Sequence, residues 1–160
     1  MKRSLDAVKT ASSALTAVAG VALVLLMLLT IADVALRLLG RPIPGTYELV
    51  ALGGAVAIGL SIPLTSWMRG HIYVDSFQSR LPRPVWAALH IATRLLVVAL
   101  FLLTGWNLVK YAIDLLRSGE VTPTLRMPFY PVVIAVGVSC FVQCLVALGE
   151  VARILRGEYE

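Results

Sequence analysis

Few side chains in this sequence are equipped for chemistry, and most of those lie in apolar surroundings. Asp33 and Arg37 stand four residues apart, a spacing that lets a carboxylate and a guanidinium meet on one helix face. Trp86, His90 and Arg94 repeat every four residues and form a polar and aromatic stripe if helical. Glu150 closes a long uncharged run, and Cys140 and Cys144 share a face at helical spacing. An ionisable group at membrane depth is a functional candidate by default, because hydrocarbon makes it costly. The chemistry open to these groups is proton or ion relay, ligand or headgroup binding, and thiol redox or metal binding.

Each possibility meets a structural competitor. A relay wants its carboxylate nearer midspan than Asp33, so Asp33 and Arg37 read as a structural pair or an intersubunit contact. Arg94 reads as the ion-pair partner of Glu150 at similar depth, with a ligand or lipid headgroup as the other reading. Neither cysteine has a His or carboxylate at metal-ligand spacing, which leaves intramembrane packing as their role. The sequence has no glycine-rich phosphate loop after a strand, no His-Glu-x-x-His and no Gly-x-Ser-x-Gly. It calls for no catalytic residue, no metal and no cofactor.

The elements that position these groups are set by length. Thr10–Ala32, Leu49–Met68 and Met127–Gly149 carry no charge, and Val85–Val109 is interrupted only by Arg94. About 20 apolar residues cross a hydrocarbon core of about 30 Å. Lipid offers the backbone no hydrogen bonds, so such segments are helices. The predicted fold is an all-α integral membrane protein, one domain over 1–160, with four transmembrane helices at about 11–36, 47–68, 85–112 and 128–151. Charged residues are 14% of the chain, against about 25% in soluble domains, which argues against a soluble fold. The run after Lys2 and Arg3 exceeds the roughly 7–15 residues of a signal-peptide core, so the first span is expected to be uncleaved.

Charge sets the orientation. An inside N-terminus puts Lys2, Arg3, Lys9, Arg69, Arg80, Arg83, Arg153 and Arg156 in the cytoplasm and five basic residues outside, so both termini are expected to be cytoplasmic. That distribution also accounts for the net charge of +5 without nucleic acid. Pro42, Pro44 and Gly45 force a tight outer turn, and Glu48 suits the positive end of the second helix. In the inner connection Val74, Phe77 and Leu81 line one side of a short amphipathic helix lying in the interface. Trp67, Arg69, His71, Tyr73, Trp86 and Arg94 are the expected interfacial or headgroup contacts. On span three, Arg94 and Lys110 would be about 24 Å apart and snorkel to opposite interfaces.

Span two is rich in small residues. Ala51, Ala55 and Gly59 recur every four positions beside Gly53 and Gly54, a spacing that lets another backbone approach. The approaching helix belongs to this chain or to a partner subunit. Pro63 loosens the last turns of that span.

Three stretches carry a family likeness: Asp33-Val-Ala-Leu-Arg37 with Pro44-Gly-Thr-Tyr-Glu48; Arg69-Gly-His-Ile-Tyr-Val-Asp75 leading to Leu81-Pro82; and Thr122-Pro-Thr-Leu-Arg-Met-Pro128. With them the whole chain resembles the small membrane subunit of tripartite ATP-independent periplasmic (TRAP) transporters. Family members often have Trp near the start of span two, where this chain has Tyr47. The resemblance implies a scaffold in the bacterial inner membrane, packed beside a large multi-span subunit that carries the substrate and sodium sites and moves like an elevator. It also implies a periplasmic substrate-binding protein that visits transiently with an organic acid, such as a dicarboxylate, a keto acid or sialic acid. Membrane lipids complete the expected partners.

Two other readings compete. A four-helix membrane enzyme like the integral-membrane glutathione transferases needs several convergent polar residues, where this chain offers Arg94 and little beside it. A stand-alone homodimeric exporter wants a midspan carboxylate, and none is present.

Overall fold

The computed structural model describes residues 2–68 and 83–155. Four helices account for most of them: α1 (Lys2–Leu38), α2 (Thr46–Trp67), α3 (Arg83–Ser118) and α4 (Tyr130–Leu155). Within these, Ala7–Leu38, Thr46–Trp67, Ala88–Ser118 and Tyr130–Ala152 are long and apolar enough to cross a membrane. The protein is thus an all-α, four-span fold. The amphipathic helix expected before span three falls on residues 69–82, outside the described residues.

Local chemistry ends the helices. After α1, Arg41 N donates to Leu36 O at 2.9 Å and Gly40 N to Arg37 O at 3.1 Å, with Gly40 at φ 73°. That pair of bonds closes off carbonyls the helix end would otherwise leave bare, and the left-handed residue it needs is a glycine. Helix α3 continues past residue 112 and stops at Gly119, which is also left-handed and donates to Leu115 O at 3.1 Å.

The helices form a row, not a closed square. Helix α1 packs on α2, α2 on α4 and α4 on α3, with only a light touch between α1 and α4. Two antiparallel hairpins therefore meet through α2 and α4, with α1 and α3 at the edges. Over an 18-residue apolar stretch of each span, buried residues make up 39% in α4 and 6% in α1, so the last helix of the chain is the middle of the array.

The α2–α4 junction follows from one proline. Pro63 has no N–H, so the carbonyl of Gly59, four residues earlier, loses its helical partner. In lipid that carbonyl must find another donor. Ser139 Oγ of α4 donates to Gly59 O at 2.6 Å, and Ser139 is fully buried. Gly59 also permits the approach, since a Cβ there would lie 2.8 Å from Val136 Cγ2. The other seams are close as well. A Cβ on Gly53 would meet Leu26 Cδ2 at 2.7 Å, and one on Gly105 would meet Cys140 Cβ at 3.2 Å. Lipid gives no hydrophobic drive between helices, so this close contact and the interhelical bonds supply the cohesion.

Replacing Ser139 with Ala strands a buried carbonyl and is expected to lower stability in detergent unfolding by about 1–3 kcal/mol. Pro63→Ala restores an N–H to Gly59, so the same Ser139→Ala change should cost much less in that background. Equal losses in both backgrounds would show that Ser139 does not serve the freed carbonyl.

Candidate functional site

Two ionic clusters, one at each end of the array, contain most of the described carboxylates on which chemistry could rest. At the end carrying both hairpin loops, Asp33 is buried near the end of α1. Its Oδ2 accepts from Arg37 Nη2 at 2.7 Å and its Oδ1 from the Ile43 backbone N at 2.9 Å. The Arg37 guanidinium lies 5.8 Å from the Tyr47 ring centroid, and Thr46 Oγ1 donates to Ile43 O at 2.9 Å. One carboxylate thus fixes the α1 terminus, the first loop and the entry to α2.

Glu48 does the same for the second loop. Its Oε1 accepts from Thr124 N at 2.7 Å and its Oε2 from Leu125 N at 2.9 Å. The loop is shaped to present those amides. Thr122 is buried, donates its N–H to Met127 O at 2.9 Å and accepts from Met127 N on Oγ1 at 3.0 Å. Arg126 takes φ 53° inside this closed turn, and Val121 pairs with Pro128 across its base. Gly45, at φ 78°, is the contact point between the loops, for a Cβ there would lie 2.5 Å from Leu125 Cγ. The stretches 33–37, 44–48 and 122–128, far apart in sequence, make one clasp.

At the opposite end Arg94 Nε of α3 lies 3.1 Å from Glu150 Oε2 of α4, their side chains 10% and 8% exposed. Arg94 therefore points into the α3–α4 interface and not toward lipid headgroups, because Glu150 stands at its depth on the facing helix. Among the remaining expected interfacial residues, Trp67 is half-buried. Trp86 lies on α3 without a described side chain, and Arg69, His71 and Tyr73 lie outside the described residues.

The five small residues of α2 divide between faces. Gly53 meets α1 and Gly59 meets α4, while Ala51 and Ala55 are exposed and a Cβ on Gly54 would meet nothing within 4 Å. A helix turns about 100° per residue, so α2 shows α1 and α4 two different faces and leaves a third outward. Cys140 and Cys144 are buried free thiols, and Cys144 Sγ donates to Val98 O at 3.6 Å. Among the described residues, no group of three or more His, Cys, Asp or Glu could hold a metal ion.

The arrangement of these clusters is mechanical in character: Asp33 and Glu48 at the loop end accept backbone N–H groups, and Glu150 at the other end faces Arg94. Sequence reasoning did not reach the tie from Glu48 to a loop 76 residues away, nor the Ser139 bond to Gly59. The Gly59–Pro63 spacing signals a freed carbonyl; nothing in the sequence says which helix answers it.

Glu48→Gln loses the charge that two amides share, so hydrogen exchange at Thr124 and Leu125 should quicken by at least about tenfold. Unchanged protection would show that Thr122 alone shapes the loop. Arg94→Leu leaves Glu150 buried without its cation and is expected to cost about 3 kcal/mol in detergent unfolding. Replacing both residues with Leu should recover most of that loss, and a double variant as weak as the single one would contradict the pairing.

Residues 26–157, more than four fifths of the chain, match the family described as Tripartite ATP-independent periplasmic transporters, DctQ component. No curated protein matches the chain.

Proposed function

Since the chain belongs to the DctQ family, the small component of tripartite ATP-independent periplasmic transporters, we propose that it is the fixed membrane scaffold beside the large multi-span subunit. The family is one of transporter components and not of enzymes. In this reading the complex sits in the bacterial inner membrane with both termini of the chain cytoplasmic. It takes up an organic acid with sodium, delivered by a periplasmic binding protein, and the moving sites belong to the large subunit.

The observation that carries the reading is what the two ionic clusters and Ser139 are bound to. Asp33 and Glu48 hold the loops, Arg94 and Glu150 hold α3 to α4, and Ser139 holds α2 to α4. A carrier wants polar groups poised near midspan around a broken helix. A scaffold wants them committed to its own rigidity, with open edges for a neighbour. The row α1–α2–α4–α3 leaves two such edges.

Deleting the gene in its host should abolish high-affinity uptake of the transported acid, with restoration from a plasmid copy. The isolated, folded chain should give no calorimetric binding signal with that acid. Tight and specific binding by the isolated chain would overturn the scaffold role.

A further inference from the structure

Lipid cannot cover every exposed face of this array equally well. At the outer half of the membrane, exposed side chains of α1, α2 and α4 include Leu28, Ile31, Val50, Ile58, Ile134 and Val138, all apolar. Thr30 is exposed too, but its hydroxyl bonds Leu26 O at 2.8 Å. Helix α3 differs. Thr104, Asn107, Tyr111 and Asp114 recur at three- and four-residue spacing and are all exposed, with Asn107, Tyr111 and Asp114 turned away from the buried Gly105, Ala112 and Leu115. Lys110 flanks them and is exposed as well.

The depth of this stripe follows from packing. Gly137 of α4 faces Leu108 and Val109 of α3 and lies seven residues beyond Tyr130, where α4 begins. At 1.5 Å per residue, Lys110 is about 8 Å and Asn107 about 13 Å inside the level of Tyr130. Lys110 does not turn outward to escape. Its Nζ lies 5.4 Å from the Trp106 ring centroid, one turn deeper, as expected from side chains that lean toward a helix N-terminus. Among the described residues no carboxylate lies within ion-pair distance of it. Asn107 Nδ2 donates to Leu103 O at 2.8 Å, as Thr30 does to Leu26 O, so the Lys110 ammonium is the group on this outward face that is most expensive against hydrocarbon and cheap against a polar helix.

We propose that the Thr104–Asp114 face of α3 is the docking surface for the large partner subunit, contacted by a transmembrane helix that presents a carboxylate or a free carbonyl at the depth of Lys110. The assignment rests on the subunit reading above and adds the face and its chemistry. A lipid phosphate fits poorly, because headgroups lie above a cation that points inward. The largely apolar faces of α1 and α2 are left to acyl chains.

The test is photo-crosslinking of the full complex in its native membrane. Benzoylphenylalanine replaces Asn107 or Tyr111 in one set and the exposed Leu25 or Ile58 in another, and adducts are identified by mass spectrometry. Adducts with the large subunit from Asn107 and Tyr111, and none from Leu25 or Ile58, are the expected result. The paired change Asn107→Leu with Lys110→Leu should also reduce recovery of the large subunit on the order of tenfold without changing this chain's own unfolding. Lipid adducts alone at both α3 positions would overturn the proposal in favour of headgroups, and an adduct of two copies of this chain in favour of self-association. Large-subunit adducts confined to Leu25 or Ile58 would overturn the face while leaving the subunit reading intact. Absence of the large subunit from the purified complex would overturn both.

Discussion

A backbone carbonyl without a donor is the constraint around which this array is arranged. Pro63 removes the N–H that Gly59 O would use, and a bilayer supplies no water in its place. Ser139 meets it from α4, and the absence of a side chain at Gly59 lets Val136 come close enough for that bond to form. The same few atoms join the α1–α2 hairpin to the α3–α4 hairpin. They also determine that α4, last in the chain, sits in the middle of the row, and that α1 and α3 are left at the edges. Proline in a spanning helix is thereby turned into a specific interhelical tie, where a soluble protein would let water absorb the defect.

The two ends solve a different problem. Short loops between antiparallel helices leave bare amides and carbonyls at the membrane surface, and Asp33 and Glu48 take up the amides of Ile43, Thr124 and Leu125. Each acts across a distance in sequence that helix-dipole arguments alone do not reach. At the other end α3 and α4 are joined through a buried pair, Arg94 and Glu150. Breaking one partner of a buried pair is costly even where the pair itself adds little, so such a contact fixes register more than it adds stability. A body pinned at both ends and in the middle is suited to stay still while a neighbour moves.

Much of this was legible in the sequence. Three uncharged runs and a fourth broken only by Arg94 give four spans, and the spacing of Asp33 to Arg37 and the matched depth of Arg94 and Glu150 point to ion pairs that the structure contains. The small residues of α2 were legible as a close approach but not as to which helix approaches. Gly53 and Gly59 serve different neighbours, while Ala51, Gly54 and Ala55 turn away from both. A four-residue spacing specifies a stripe, and the stripe's neighbour depends on how the hairpins dock. Glu48 illustrates the same limit: it reads as a helix-dipole carboxylate, and only the folded second loop makes it a clasp. The polar face of α3 was likewise hidden, because Lys110 looked like a snorkelling cation until its ammonium was seen over Trp106.

In the proposed reading this chain works only as a rigid part of a larger membrane assembly. Native mass spectrometry of the complex, purified gently in detergent from its own host, tests that most directly. One copy of this chain with one copy of a larger multi-span protein is the predicted composition. A homogeneous self-oligomer, stable in lipid and free of any such protein, would contradict it.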